Sequence, residues 1–242
     1  MSIKIENVEI SGWKAAIRGA RNPMNSWNKS DSVFVSSHFC DDEDDLKLAQ
    51  FCGGVAPIIK ENDHKLLMNL CKGGSEESKW RRFVNVSMDI VAPLYWWKEF
   101  DTYKVGTACN SCSTMHKIQS KEFTMEDFSC EHLSYFSKVN LNDVIKQLNW
   151  CREMFNTPDD QIDWDTWKPL GYGTKKEMWW QMIQLLPTSY NQRRTIQLNY
   201  EVLAKQYRER KNHKLDEWRE YCGWIKTLPY SELITLEEKK EE

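Results

Sequence analysis

The sequence predicts an α+β protein built around a small sheet, and three observations carry that expectation. Two short stretches, residues 3–10 (IKIENVEI) and 83–91 (FVNVSMDIV), alternate apolar with polar residues, the period of a half-buried strand. Four stretches of the second half, 141–155, 175–185, 193–211 and 215–225, place apolar residues every three to four positions with few breakers, the period of helices. No internal repeat and no shift in composition marks a linker, so a single α+β domain over residues 1–242 is the economical expectation.

The remaining elements follow in order. Residues 13–20 (WKAAIRGA) suit a short helix, and 22–37, rich in Asn, Ser and Asp, predict a long loop around the apolar strand Val33-Phe34-Val35. Residues 41–51 open with carboxylates, which favour a helix N-terminus, and Cys52-Gly53-Gly54 stops that helix. A third helix is expected over 63–72, with Leu66, Leu67, Leu70 and Cys71 on one face and Gly73-Gly74 ending it. Residues 92–103 read as a helix that tolerates Pro93 in its first turn. The charged run 236–242 reads as a solvated tail.

Composition bounds the function. The 12 Trp, 9 Phe and 9 Tyr supply a sizeable core despite a low mean hydropathy, since each can bury roughly 150–250 Å². The 33 basic and 36 acidic side chains give a net charge of -3, without the basic excess of a nucleic-acid binder. No apolar run approaches the roughly 20 residues that span a bilayer, and the N-terminus reads as a strand and not as a signal peptide. The eight Cys are therefore expected as reduced thiols in a cytoplasmic protein, with no membrane and no nucleic acid as partner.

Three groups of residues have the chemistry for a site. Cys109, Cys112, His116, Cys130 and His132 contain a C-x2-C, a pattern that ligates zinc or forms a redox pair. The second half is C-x-H, too short for the usual structural zinc spacing, so inert thiols are the simpler reading and no metal site is assigned. The run 107–114 (TACNSCST), with Lys98 and Lys104 close by, offers hydroxyls and backbone N–H groups to an anion. The third group is a basic helix carrying Arg193, Arg194, Lys205, Arg208, Arg210 and Lys211, mostly a solvated face, with Leu198, Val202 and Tyr207 keeping part of it apolar.

The second and third groups together resemble the flavin-dependent thymidylate synthases, the ThyX family. That family's signature is Ala-Pro, a helix ending in Arg/Gln-aromatic, then R-H-R-x-x-S-x-N-E-x-S-x-R-Y. Without a gap, Ala92-Pro93 opens the match and Lys98-Glu99 fall on the Arg and Gln. Thr102-Tyr103-Lys104 fall on R-H-R, Thr107 on the first Ser, Cys109-Asn110 on N-E, Cys112 on the second Ser and Thr114 on the last Arg. Leu186-Pro187, Asn199, Leu203 and Arg210 are similar in order and spacing to the family's C-terminal helix pattern, and residues 22–54 look inserted or divergent.

The resemblance implies the ThyX-like fold, a small curved sheet packed with long helices, in a homotetramer whose sites lie at subunit interfaces. It implies FAD and a dUMP-like pyrimidine nucleotide as ligands, with NADPH and methylenetetrahydrofolate as co-substrates of a methylene transfer. Thr102, Tyr103, Lys104, Thr107 and Lys205 would then lie at the flavin. Glu99, Asn110, Ser111, Cys112, Ser113, Thr114 and Arg210 would line the nucleotide pocket, with Arg210 and Cys112 as the candidate catalytic groups. The chain departs from the pattern at Thr114 and Ile183, where the family places nucleotide-contacting arginines, and at Glu99, where it places Gln. A catalytically altered paralogue holding another nucleotide or small ligand in the same pocket is therefore the alternative.

Overall fold

A computed structural model describes residues 3–40 and 42–237. Met1 and Ser2, Asp41 of the helix expected over 41–51, and residues 238–242 of the expected charged tail lie outside the described residues.

The chain opens with strand β1 (Lys4–Ser11) and helix α1 (Trp13–Arg21), joined at Gly12. Gly12 has φ +96°, and a Cβ there would meet the Phe83 carbonyl oxygen at 1.8 Å, so only glycine makes this turn. Strand β2 (Val33–Ser36) pairs antiparallel with β3 (Val55–Ile58), and helix α2 (Glu43–Phe51) lies between them in sequence. Asp42 caps α2 by accepting the Asp45 N–H. Helix α3 (Glu61–Lys72) then leads to a 3-10 segment, Ser78–Phe83, and strand β4 (Asn85–Pro93). Helix α4 (Leu94–Phe100) is shorter than the helix expected over 92–103, because Ala92 and Pro93 complete the strand.

Strand β5 (Ala108–Ser111) is followed by helices α5 (Tyr135–Asn156), α6 (Trp164–Trp167) and α7 (Lys175–Leu185). The helix expected over 193–211 is two elements. Strand β6 (Asn191–Asn199) buries Gln192, Ile196 and Leu198 on one face, and helix α8 (Tyr200–Arg210) begins only after it. Arg193 and Arg194 are therefore strand residues and not part of the basic helix. Asn199 enforces the switch by accepting the Val202 N–H at 3.1 Å. Replacing Asn199 with Ala is expected to lower stability by about 1 kcal/mol, read as a lower urea midpoint at constant slope. Helices α9 (Asp216–Ile225) and α10 (Glu232–Thr235) complete the chain.

The main sheet has the order β1-β4-β6-β5. The chain divides into two compact units. The first contains Val91–Glu99 and Ser111–Arg194, with the N-terminus through Lys4. Its core is built where α5 packs on α7, from Leu148, Cys151, Met178 and Met182 with Ile118, Phe123 and Phe128. Ile183 packs against that apolar cluster. Trp97, fully buried, donates its indole N–H to the Gln192 carbonyl at 2.9 Å, and the Arg194 guanidinium lies 4.3 Å from its ring centre.

The second unit contains Ile5–Ile90, Phe100–Asn110 and Thr195–Glu242. Aromatic side chains dominate its core. Trp13 meets Tyr200 and Tyr230 edge-on at 5.1 and 5.2 Å, and Phe100 stacks on Trp218 at 6.2 Å. The Asn- and Ser-rich segment after α1 is pinned by two aspartates. Asp31 accepts the N–H groups of Asn62 and Asp63 in the first turn of α3. Asp63, fully buried, accepts from Arg21 Nε at 2.6 Å, from Ser30 Oγ at 2.8 Å and from the N–H groups of Asp31 and Ser32. Among the described residues no helix is long and apolar enough to cross a membrane.

Candidate functional site

The second unit holds the candidate site, formed where α8, the 3-10 segment before β4, the residues after α4 and α10 come together. It is a cavity of about 580 Å³, within the size range of small-molecule sites. Five cationic side chains line it, Arg81, Arg82, Lys205, Arg208 and Lys211, against one carboxylate, Glu201. Three of the five come from α8 and the residue after it, because positions 205, 208 and 211 recur at helical spacing on one face. Lys211 is balanced by Glu237 at 3.1 Å. Arg82, Lys205 and Arg208 form no ion pair with another described residue, so the wall carries a net positive charge that suits an anion.

Gly106 lets the backbone approach this wall. Its φ is +78°, and a Cβ would come within 3.1 Å of Val202 Cγ2 and 3.3 Å of Asn199 Nδ2. A second, smaller cavity of about 120 Å³ is lined by Phe100, Asp101, Tyr103, Lys104, Thr107 and Cys109.

Tyr103 is the hinge of the local network. Its ring is buried beside Phe100 and Trp218. Its hydroxyl accepts from Arg210 Nε at 2.9 Å and donates to Glu209 Oε2 at 2.8 Å. Burial pushes the Tyr103 pKa up; the hydrogen bond from Arg210 pulls against this and the Glu209 carboxylate adds to it. The hydroxyl therefore stays protonated and keeps its donor role. The Arg210 guanidinium also lies over the Trp218 ring at 4.9 Å and the Tyr103 ring at 5.6 Å, while Lys205 Nζ is 5.7 Å from the Tyr103 centre. A cation lying over two rings and bonded through Nε is fixed in orientation.

Of the residues singled out in the sequence, Tyr103, Lys205 and Arg210 are thus brought together, and Tyr103, Lys104 and Thr107 share the smaller cavity. Thr102 and Asn110 are exposed. Glu99, Ser111, Cys112, Ser113 and Thr114 belong to the first unit, where Ser111, Cys112 and Ser113 are exposed. The run 107–114, expected as a loop, contains β5, and just beyond it the Cys112 N–H donates to the Arg193 carbonyl at 2.9 Å. Ser113 Oγ closes a local turn by accepting the N–H groups of Met115 and His116. Ile183, where the resemblance would place an arginine, is committed to the first unit's apolar core. Among the described residues no group of three or more His, Cys, Asp or Glu side chains is placed to hold a metal ion, and Cys109 and Cys112 are exposed and in no disulfide. Sequence reasoning missed Arg81, Glu209 and Trp218, and the one available signal for the first was two adjacent arginines between the aromatic residues Trp80 and Phe83.

The four-stranded sheet packed with long helices makes this an α+β protein with the ThyX fold. The solved structures that share it include the flavin-dependent thymidylate synthase ThyX from Helicobacter pylori complexed with FAD and dUMP. That likeness has a TM-score of 0.57 and 13% sequence identity, and covers 97% of this chain and 98% of the other. A second crystal structure of the Helicobacter pylori enzyme with FAD and dUMP matches with a TM-score of 0.57 and 14% identity, covering 97% of each chain. At that identity the likeness is one of fold. No family model and no curated protein matches the sequence.

Proposed function

We propose that this chain is a flavin-dependent thymidylate synthase-like protein that holds FAD against the second unit's cationic cavity and transfers a methylene group from folate to a dUMP-like pyrimidine nucleotide. The observation that carries the reading is the cavity wall, five cations against one carboxylate, next to the Tyr103–Arg210 pair. The lining suits the cofactor: a phosphate-bearing dinucleotide needs positive charge, and the cationic wall offers it. FAD, when bound, supplies the redox chemistry of the transfer, with NADPH as reductant and methylenetetrahydrofolate as the one-carbon source.

The chain's own residues have separable tasks in this reading. Lys205 places its charge at the flavin, Tyr103, Lys104 and Thr107 line the smaller cavity, and Thr102 is assigned to the flavin by the resemblance alone. Arg210, oriented by Tyr103 and Trp218, meets the nucleotide. The nucleotide roles of Glu99, Asn110, Ser111, Cys112, Ser113 and Thr114, and assembly as a homotetramer, rest on the resemblance. Cys112 has two assignments, a wall of the pocket and a nucleophile on the pyrimidine, and unchanged turnover in Cys112→Ala ends the second.

The second reading, a paralogue that binds without the family reaction, is favoured by one observation. Thr114 and Ile183 stand where the pattern has arginines, and Ile183 is packed in an apolar core. Each lost charge-assisted hydrogen bond removes roughly 1.5–3 kcal/mol of phosphate binding. The deciding experiment incubates the purified protein with FAD, dUMP, methylenetetrahydrofolate and NADPH. Formation of the methylated nucleotide with matching NADPH oxidation supports the first reading. Ligand binding without product supports the second, and absence of both removes each of them.

A further inference from the structure

We propose that Arg81 is the anchor of a phosphate subsite in the second unit's cavity, and that it makes the cavity select phosphorylated ligands over their unphosphorylated counterparts. The inference deepens the flavin reading, whose cavity it shares, but it stands on a separate observation. Arg81 is 95% buried, lines the cavity, and has no hydrogen-bond partner at either Nε or Nη2. Buried donors in folded proteins are satisfied in the great majority of cases, and a buried guanidinium is the most costly donor to leave unsatisfied.

The neighbours of Arg81 do not explain it. Its third nitrogen, Nη1, faces Glu201 Oε2 at 3.8 Å, beyond hydrogen-bond distance, and Glu201 also accepts from Ser78 Oγ at 3.4 Å. The Cys71 thiol on the same wall offers Arg81 only a weak sulfur acceptor and no counter-charge, since burial pushes its pKa up to about 11 despite the charge and hydrogen bond of Arg81 beside it. The two orphaned N–H groups, Nε and Nη2, sit on one edge of the guanidinium, the edge that grips two oxygens of a phosphate in parallel. Lys205 and Arg208 line the same cavity and supply further positive charge to such a site.

A residue kept for binding also leaves a mark on the ligand-free protein. Removing a buried, imperfectly paired charge in favour of an apolar side chain of similar length is commonly neutral or stabilising. The partner left behind, Glu201, has a quarter of its side chain exposed and can rehydrate. Arg81→Met is therefore expected to melt no lower than the parent protein without ligand, whereas a purely structural arginine would be missed at once.

The test is titration of the full chain with inorganic pyrophosphate, followed by calorimetry and by thermal shift, in parallel with FAD and riboflavin. The expected results are a saturable pyrophosphate signal that raises the melting temperature, a preference for FAD over riboflavin, and loss of both in Arg81→Met. The loss in affinity is expected at about tenfold to a hundredfold, the value of one charge-assisted pair, with Arg81→Lys recovering part of it. Pyrophosphate bound as tightly by Arg81→Met as by the parent overturns the proposal. So does the absence of pyrophosphate binding to the parent protein, a result that needs no variant to fold. Pyrophosphate held through Arg81 with no uptake of FAD sustains this subsite and removes the flavin reading.

Discussion

Asp63→Ala is expected to destabilise the second unit by about 3–5 kcal/mol, the largest single-residue effect on stability argued from this structure. The carboxylate is fully buried and collects four donors: Arg21 Nε, Ser30 Oγ and the N–H groups of Asp31 and Ser32. Alanine leaves the Arg21 guanidinium, itself almost wholly buried, without its charge partner, and removes one of the two aspartates that pin the segment after α1 to α3. At about 2–4 °C per kcal/mol for a chain of this size, the melting temperature should fall by roughly 10 °C.

The same residue sets an acid limit. Burial alone would raise the Asp63 pKa, but the hydrogen bonds from Ser32, Ser30 and Arg21 outweigh it and hold the group at about 2, below the ordinary value of 3.8. A carboxylate with a depressed folded pKa contributes its stability above the unfolded value and loses it as pH falls through the folded one. The gap between parent and Asp63→Ala should therefore be full at pH 7 and narrow between about pH 4 and pH 2. Urea unfolding at pH 7 and near pH 2.5 checks both the size and the sign; a gap that widens on acidification contradicts the account.

Arg210→Ala is expected to weaken dUMP binding by about tenfold to a hundredfold in the FAD-loaded protein, the loss of one charge-assisted contact. Arg210 bonds the Tyr103 hydroxyl through Nε and is stacked over Trp218 and Tyr103. Tyr103 keeps its bond to Glu209 when the arginine is gone, so the ring stays placed and the fold is only mildly affected. Tyr103→Phe isolates the positioning term, because it leaves the arginine's charge and removes one of its restraints. It should lower affinity less than Arg210→Ala does. Calorimetric titration with dUMP measures both variants, and unchanged affinity in Arg210→Ala would remove the arginine from the nucleotide site.

Much of the architecture was legible where a single period dominated the residues. The 175–185 spacing matches α7 residue for residue, and the alternation over 83–91 gives β4 with its ends shifted by two positions. Strand β6 was hidden because two arginines and the helical run after residue 199 mimic a continuous amphipathic helix, and its buried face has only Gln192, Ile196 and Leu198 to announce it. Strand β5 could not be read at all, since its four residues are exposed and carry no apolar pattern. In the candidate site, the resemblance to the family signature singled out Tyr103, Lys205 and Arg210, which the fold places next to one another. Arg81 escaped because its meaning lies in burial and in the absence of partners, which no local pattern encodes. The segment 22–54 looked divergent, yet Asp31 and Asp63 bind part of it to α3 across some thirty residues of sequence, a distance over which periodicity is silent.

The central claim, that the cationic cavity of the second unit is a flavin site, is tested most directly by loading the purified chain with FAD and passing it through a gel-filtration column. The account predicts that FAD co-elutes with the protein near one per chain, with a shifted visible spectrum, and that Lys205→Glu, which reverses one charge of the wall, releases it. Protein that emerges colourless while FAD elutes free in the salt volume would contradict it.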